Sequence, residues 1–215
     1  MYELLIENNF TESESAEIAV LLKSSRKAYK KNEIIIRFTK ETDELGIIKS
    51  GRAYLISING DGQKAIIDCF ERGDSFCGEN YPADGLNACY IIAKSSCTVE
   101  FVSYSRLRSR AGELRSAGKL FDFLLGRSVR RNFIHTEILS QRSIRLKLLC
   151  YFEYLKGRQK STQITLPMTY SDLADYIAAD RSALMREVKN LSSEGVITAD
   201  GKRITLNGAA GKNQQ

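Results

Sequence analysis

The chain has 215 residues, 43% of them hydrophobic, which is enough for one large core or two modest ones. It contains no apolar run long enough to span a membrane, and its first ten residues lack the basic and apolar regions of a signal peptide. Five cysteines, an odd number at wide spacing, favour reduced thiols in a cytoplasm over a disulfide framework. We therefore expect a cytoplasmic protein without membrane contacts.

The net charge of +6 is distributed unevenly along the chain. Residues 1–105 carry 12 basic and 16 acidic side chains, residues 106–145 carry 10 and 3, and residues 146–215 carry 10 and 7. An acidic front half followed by a basic back half favours contact with a polyanion through the back half alone. An ordinary charged surface is the alternative interpretation.

The first predicted elements are a short helix and a long series of strands. Residues 11–24 begin with Thr11, a good helix cap, and continue with apolar residues at helical spacing. Six short β-type runs separated by turn signals then follow: 33–38, 46–51, 52–58, 64–70, 89–93 and 98–104. Regularly spaced strands without intervening helices predict an antiparallel barrel or sandwich.

A second helical region begins near Leu114. One broad stripe at spacings of three and four contains Leu120, Phe121, Leu124, Leu125, Ser128, Phe133, His135, Ile138 and Leu139. A helix of roughly 25 residues is ~37 Å long, which is more than one small domain can bury. Pairing with a second copy of the chain, as in a coiled coil, is therefore predicted. Beyond it we expect a helix over 144–157, a polar loop over 158–163 and a disordered tail from residue 208.

Residues 169–206 have the pattern of two short helices around a tight turn, followed by a two-stranded wing. Thr169 and Asp172 form a capping-box-like start, and Asp180 can cap the second helix. The inner face of that second helix is apolar, with Leu184, Val188 and Leu191. Its opposite face is polar and basic, and consists of Arg181, Ser182, Met185, Arg186 and Lys189.

This layout is that of a winged helix-turn-helix, whose second helix fits the major groove of DNA. The planar guanidinium groups of Arg181 and Arg186 can each pair with both acceptors on the major-groove edge of guanine. Ser182 lies beside them on the same face. Phosphate contacts, which fix register rather than sequence, are predicted for Thr169, Ser171, Lys189, Lys202 and Arg203. A solvated face of a helical hairpin is the alternative.

With a β-rich front, a long central helix and this back half, the chain resembles the CRP/FNR family of bacterial regulators. In the front half the resemblance rests on segments 51–53 (GRA), 61–62 (DG), 71–79 (ERGDSFCGE), 93–99 (AKSSCTV) and 102–104 (VSY). In the back half it rests on Arg181, Arg186 and the wing. The family often has glutamate at the position of Ser182, so the half-site is expected to differ from that of other members.

The resemblance implies an α+β protein in three parts. Residues 1–113 would form an antiparallel β-roll, cupin-like or cyclic-nucleotide-binding-like, that serves as a sensor. Residues 114–142 would form a long dimerisation helix, and residues 143–215 a winged helix-turn-helix domain. The protein would be a homodimer that binds near-palindromic promoter sites in double-stranded DNA. If it activates transcription, the polar segment 156–163 is a candidate surface for RNA polymerase.

The resemblance also places an effector pocket in the β-roll. Members that bind cyclic AMP hold its phosphate with an Arg-Ser pair after a Gly-Glu. Gly78 and Glu79 are present here, but Asn87 and Ala88 stand where the pair would be, so cyclic AMP is not expected. On the central helix, Arg130 and Arg131 can bind a different anion, or they are simply solvated helix arginines.

No cofactor, metal or catalytic role is predicted. The cysteine spacings fit neither an iron–sulfur cluster nor a zinc motif, and the first cysteine is Cys69. Haem ligation by Cys77 or His135 is the weaker interpretation, because a lone histidine on an apolar stripe is more often a packing residue. One histidine and no phosphate-binding glycine loop argue against an enzyme. The alternative function is a small-ligand-binding β-roll whose C-terminal domain serves a protein partner.

Overall fold

The computed structural model describes residues 2–38, 43–77 and 88–207. The chain divides into two compact units, Met1–Arg131 and Asn132–Gln215. The helices are α1 Tyr2–Glu7, α2 Glu12–Leu22, α3 Tyr104–Ala111, α4 Arg115–Ser140, α5 Ile144–Gln159, α6 Tyr170–Tyr176 and α7 Arg181–Ser193. None of the helices in the described ranges has the length and apolar character needed to cross a membrane.

The strands are antiparallel throughout the described residues and form three sheets. Their bounds are β1 Ser25–Tyr29, β2 Ile34–Arg37, β3 Glu44–Ser50, β4 Ala53–Ile58, β5 Lys64–Phe70, β6 Ser75–Cys77, β7 Ala88–Ala93, β8 Cys97–Ser103, β9 Gln163–Thr165, β10 Ile197–Asp200 and β11 Arg203–Leu206. In the first unit the strand orders are β1-β8-β3-β6 and β2-β7-β4-β5. In the second unit the order is β10-β11-β9. The predicted antiparallel β-domain and winged C-terminal domain are confirmed.

The first unit contains two apolar cores on either side of the sheet that holds β3 and β8. Successive residues of a strand point to opposite faces, so each of these strands supplies both cores. One core is shared by the two sheets and includes Ile48, Leu55, Phe70, Phe76, Ile91, Val99 and Phe101. The other packs the same sheet against the helices and includes Leu5, Ile18, Leu45, Ile47, Val102, Leu107, Leu120 and Leu124. The β-domain is therefore closed on one face by α1 to α4.

Close contact with a neighbouring backbone segment explains why residue 51, in one of the sequence motifs, is a glycine. Gly51 has a φ of +81°, and a Cβ there would lie 2.1 Å from the carbonyl oxygen of Ser96. Only glycine fits such a turn without moving the neighbouring backbone. Gly51 of the Gly-Arg-Ala segment is thus needed for the turn between β3 and β4.

Cys97 of the first unit is a structural cysteine rather than a reactive one. Cys97 is buried in the core shared by the sheets, and burial raises the pKa of its thiol to about 11. Cys69 and Cys89 are half-buried. A thiol protonated at neutral pH is a poor nucleophile.

Helix α4 has two apolar faces where the sequence predicted one broad stripe. Leu120 and Leu124 enter the core of the first unit, whereas His135 and Ile138 are buried in the second. A separate outer face leaves Leu125, Val129 and Phe133 exposed at 48%, 59% and 68%. These three residues, spaced by four, are called the outer stripe below.

The second unit is a helical domain with a small sheet. Its core includes Ile138, Leu148, Tyr151, Phe152, Leu155, Ile164, Leu166, Met168, Leu173, Ala174, Tyr176, Ile177, Leu184, Val188, Leu191, Ile197 and Ile204. The polar loop predicted from residue 158 is shorter than expected, because α5 continues to Gln159 and ends at Lys160 in a left-handed conformation. The tail predicted to be disordered, 208–215, lies outside the described residues.

Candidate nucleic-acid interface

Side-chain caps fix the starts of both helices of the helix-turn-helix. The Oγ1 of Thr169 accepts a hydrogen bond from the Asp172 amide at 3.1 Å and donates one to its carboxylate at 2.9 Å. The carboxylate of Asp180 accepts a hydrogen bond from the Ala183 amide at 2.8 Å. Both predicted caps are confirmed. The hydroxyl of Thr169, predicted to contact phosphate, is already engaged in its cap.

The turn between α6 and α7 contains a strained residue. Ala178 has a φ of +50° and an exposed side chain. This left-handed conformation is unfavourable by roughly 1–2 kcal/mol for a residue with a Cβ. The turn is therefore formed by the packing of the flanking helices rather than by the preference of alanine.

Replacement of Ala178 by glycine is expected to stabilise the second unit. Glycine removes the left-handed strain but costs roughly 0.4–1 kcal/mol of additional unfolded-state entropy. The net gain in the free energy of unfolding should be about 0.5–1 kcal/mol, measured by urea unfolding of Ala178→Gly. The matched control is Ala179→Gly, which has no positive φ to relieve and should be destabilised. A loss of stability in both variants would contradict this account of the turn.

Helix α7 separates an apolar inner face from a basic outer face. Leu184, Val188 and Leu191 are buried, as the sequence predicts. The outer face exposes Arg181, Ser182, Met185, Arg186 and Lys189. Within the described part of the chain, the three cations of that face form no ion pair or side-chain hydrogen bond. Their charge is therefore available to an external anion.

The acidic groups of the same helix are turned to a different neighbour. Arg145 of α5 donates hydrogen bonds to Glu187 of α7 at 3.2 Å and to Glu194, its C-cap, at 3.0 Å. The hydrogen bond from Arg145 holds the pKa of the Glu194 carboxyl below its ordinary value. The ion pairs keep both carboxylates off the basic face, so they do not oppose a polyanion there.

The wing is a two-residue hairpin anchored to the start of α6. β10 pairs with β11 from Ile197 with Leu206 to Asp200 with Arg203, and Gly201 takes a φ of +56° in the turn. The hydroxyl of Tyr170 donates to the Gly201 carbonyl oxygen at 2.9 Å. Lys202 and Arg203 are exposed beside this turn, and Ser171 is partly exposed one residue after Tyr170.

Two side chains satisfy the carbonyl groups at the end of α6. The Nε2 of His135 lies 2.7 Å from the Tyr176 carbonyl oxygen, and its ring stacks on the Tyr176 ring with centroids 3.9 Å apart. The Nζ of Lys147 donates to the Ile177 carbonyl oxygen at 2.9 Å. These contacts favour the interpretation of His135 as a packing residue.

The predicted effector residues are only partly covered by the structure. Gly78, Glu79 and Asn87 lie outside the described residues, and Ala88 is the exposed first residue of β7. Arg130 is exposed to solvent. Among the described residues, no three histidine, cysteine or acidic side chains are grouped to hold a metal ion.

The side chain of Arg131 is mostly buried, so the interpretation of this residue as a solvated helix arginine is wrong. Its side chain is 10% exposed, and its Nε donates to both carboxylate oxygens of Asp68 at 2.7 and 2.8 Å. Its guanidinium lies 4.7 Å from the centre of the Phe70 ring and 3.5 Å from Asp74. Arg127, one turn earlier, donates to Asp74 at 2.8 Å. The carboxylates of Asp68 and Asp74 therefore already lie against the guanidinium of Arg131.

Two family models match the chain. One describes a cyclic nucleotide-binding domain and covers residues 26–111, and the other describes a Crp-like helix-turn-helix domain and covers residues 145–211. Together they span most of the sequence in the order that the fold shows. The chain belongs to the CRP/FNR family of transcription regulators. The resemblance, the fold class and DNA binding as the function are thereby confirmed.

Solved structures of similar proteins show the same fold. FixK2 from Bradyrhizobium japonicum is 21% identical with a TM-score of 0.67, over 85% of this chain and 92% of that chain. A CooA mutant from Carboxydothermus hydrogenoformans is 14% identical with a TM-score of 0.72, over 95% and 90%. The c-di-GMP responsive global regulator CLP of Xanthomonas campestris is 17% identical with a TM-score of 0.68, over 93% and 100%. No curated protein sequence matches significantly.

The side chains that support the DNA-binding helices of this CRP/FNR regulator could not be predicted from the sequence. Arg145, Lys147 and Tyr170 were not singled out, although each makes a contact that positions α6, α7 or the wing. Arg145 lies 42 and 49 residues from its partners. Local periodicity carries no signal for such pairs.

Proposed function

We propose that this regulator binds near-palindromic promoter DNA as a homodimer. Arg181, Ser182 and Arg186 would face the base edges, and phosphate contacts would come from Ser171, Lys189, Lys202 and Arg203. Thr169 is left out of the phosphate contacts, because its hydroxyl already donates to Asp172. The observation that carries the proposal is the exposed basic face of α7, whose acidic residues are held away by Arg145. A bidentate arginine contact to guanine discriminates between bases by ~1–3 kcal/mol.

The outer stripe of α4 supports the homodimer. Leu125, Val129 and Phe133 follow one another at intervals of four, so they lie along one side of the helix over about 12 Å. Large apolar side chains exposed in a row indicate an interaction surface rather than a solvated face. A second copy of α4 offers the same row, and two such rows can pack as in a coiled coil.

Two introduced charges are expected to separate the subunits. In Val129→Glu/Phe133→Glu, four carboxylates would have to be buried at the paired helices, and an unpaired buried charge is strongly unfavourable. We expect a dimer for the unmodified chain and a monomer for the variant in analytical ultracentrifugation, together with a loss of operator affinity. The matched control is Arg130→Glu, which adds a carboxylate to the same helix away from the stripe and should remain dimeric. A monomeric unmodified protein that binds its operator would contradict the proposal.

We propose that the regulator responds to an unidentified effector other than cyclic AMP, or to none. Support comes from the sequence, because Asn87 and Ala88 replace the pair that would hold the cyclic phosphate. As a regulator of promoter DNA, the protein would act in the cytoplasm. If it activates transcription, we propose that residues 156–163, at the exposed end of α5 and the start of β9, face RNA polymerase.

Salt dependence distinguishes this function from a C-terminal domain that serves a protein partner. Binding to phosphates releases counterions, so the logarithm of the association constant should fall linearly with the logarithm of salt concentration. A protein interface of ordinary composition shows a much weaker dependence. We expect the steep dependence for the operator complex, measured by fluorescence anisotropy from 50 to about 200 mM salt.

A further inference from the structure

One apolar side chain stands on the basic face of the recognition helix. Met185 is 42% exposed, whereas the other large apolar residues of α7, Leu184, Val188 and Leu191, are at most 5% exposed. Arg181, Met185 and Lys189 follow one another at intervals of four and form one row along the helix. Arg186 is the next residue in the chain, so Met185 lies between the two arginines proposed to read bases.

The chemistry of this position restricts what Met185 can recognise. A thioether is a weak hydrogen-bond acceptor and has no donor, so it cannot read the polar edges of guanine, adenine or cytosine. The apolar group that the major groove presents is the C5-methyl group of thymine. Methionine is also flexible and polarisable, which lets it follow a small apolar target.

We propose that Met185 reads a thymine in each half-site by contact with its methyl group. The inference rests on the proposed function, because it requires α7 to enter the major groove. Four residues of helix span about 6 Å, and successive base pairs are 3.4 Å apart. The thymine therefore lies within about two base pairs of the guanine contacted by Arg181.

The expected effect of the methyl group is modest but specific. Burial of one such group contributes the equivalent of roughly a 4-fold change in the dissociation constant. When the methyl is removed from both half-sites, the two effects multiply to about 15-fold. Ser182 and Lys189 cannot produce this effect, since neither has an apolar end on the same face.

The test replaces thymine by deoxyuridine, which removes the methyl group and leaves every hydrogen-bonding group in place. The full-length protein is bound to an operator obtained by selection from random DNA, with each thymine pair of the two half-sites replaced in turn. We expect one symmetric position at which the unmodified protein loses about 15-fold in affinity. Met185→Ala should bind thymine and deoxyuridine operators equally at that position, and Met185→Leu should keep most of the discrimination.

The outcomes separate this inference from the function on which it rests. If no sequence is enriched in the selection, both fail. If an operator is bound specifically but Met185→Ala keeps the full sensitivity to deoxyuridine, or no thymine position is sensitive, the reading by Met185 is wrong and the proposed function stands. Because Met185 is exposed, its replacement should leave the fold unchanged, as circular dichroism can verify.

Discussion

Replacement of Arg181 or Arg186 by alanine is expected to erode sequence discrimination. Each side chain is exposed on the outer face of α7 and has no ion-pair partner among the described residues. Loss of a bidentate contact to guanine should reduce the preference for operator over altered half-sites by about 5- to 150-fold per contact, equivalent to ~1–3 kcal/mol. The measurement is the ratio of dissociation constants for the operator and for single-base variants at fixed salt.

The matched control for these arginines is Lys202→Ala on the wing. A lysine that contacts phosphate should weaken binding to all sequences alike and reduce the salt slope by about 1. Arg181→Ala and Arg186→Ala should instead relax specificity at one position each. An unchanged operator preference in both arginine variants would show that neither side chain reads bases.

Replacement of Arg131 by alanine is expected to destabilise the first unit by about 3–5 kcal/mol. The variant leaves Asp68, only 3% exposed, without the guanidinium that now donates to both its oxygens. The loss is a large part of the roughly 5–15 kcal/mol that stabilises a typical domain. The measurement is the free energy of unfolding in urea, followed by circular dichroism.

The neighbouring residue provides the control for this buried pair. Arg130→Ala removes an exposed arginine of the same helix and should change stability by less than ~0.5 kcal/mol. Arg131→Met/Asp68→Leu, which replaces both charges by apolar groups, should restore most of the stability lost in Arg131→Ala. Equal stabilities of Arg130→Ala and Arg131→Ala would show that the ion pair contributes nothing.

The decrease in the free energy of unfolding caused by Arg131→Ala should also depend on pH. Burial raises the pKa of Asp68 above its ordinary value, although Arg131 and the Cys69 amide oppose this shift. A carboxyl with a raised folded-state pKa binds a proton more readily when folded, so acid favours the folded state at this group. Without the guanidinium this preference increases. The difference in stability between the variant and the unmodified protein should therefore shrink as the pH falls from 7 towards the raised pKa.

The local signals of the recognition region could be predicted from sequence. Thr169 and Asp180 are cap residues whose hydrogen bonds reach only three residues ahead, and both caps are present. Leu184, Val188 and Leu191 bury one side of α7 because their spacing matches the helical period. Once the buried face of α7 is known, the helical period determines which residues lie on its exposed face. The candidate base-reading residues could therefore be predicted from the sequence.

Long-range pairs and edge elements could not be predicted in the same way. β1 is polar and mostly exposed, and it exists because its backbone pairs with β8 about 70 residues later. Arg131 has the composition of a surface residue, yet its partner Asp68 lies 63 residues away. The exposure of the outer stripe could not be predicted either. An apolar residue such as Val129 fits both a buried and an exposed face until the neighbours of α4 are known.

Sequence-specific DNA binding by a homodimer can be measured by selection of bound sequences from a random DNA pool, with the purified protein and no added ligand. We expect enrichment of a near-palindrome, with guanines in each half-site that lose their preference in Arg181→Ala and Arg186→Ala. An enriched sequence with a single, non-repeated half-site would contradict the dimer. Failure to enrich any sequence, both alone and with cell extract as a source of effector, would contradict sequence-specific DNA recognition by this chain.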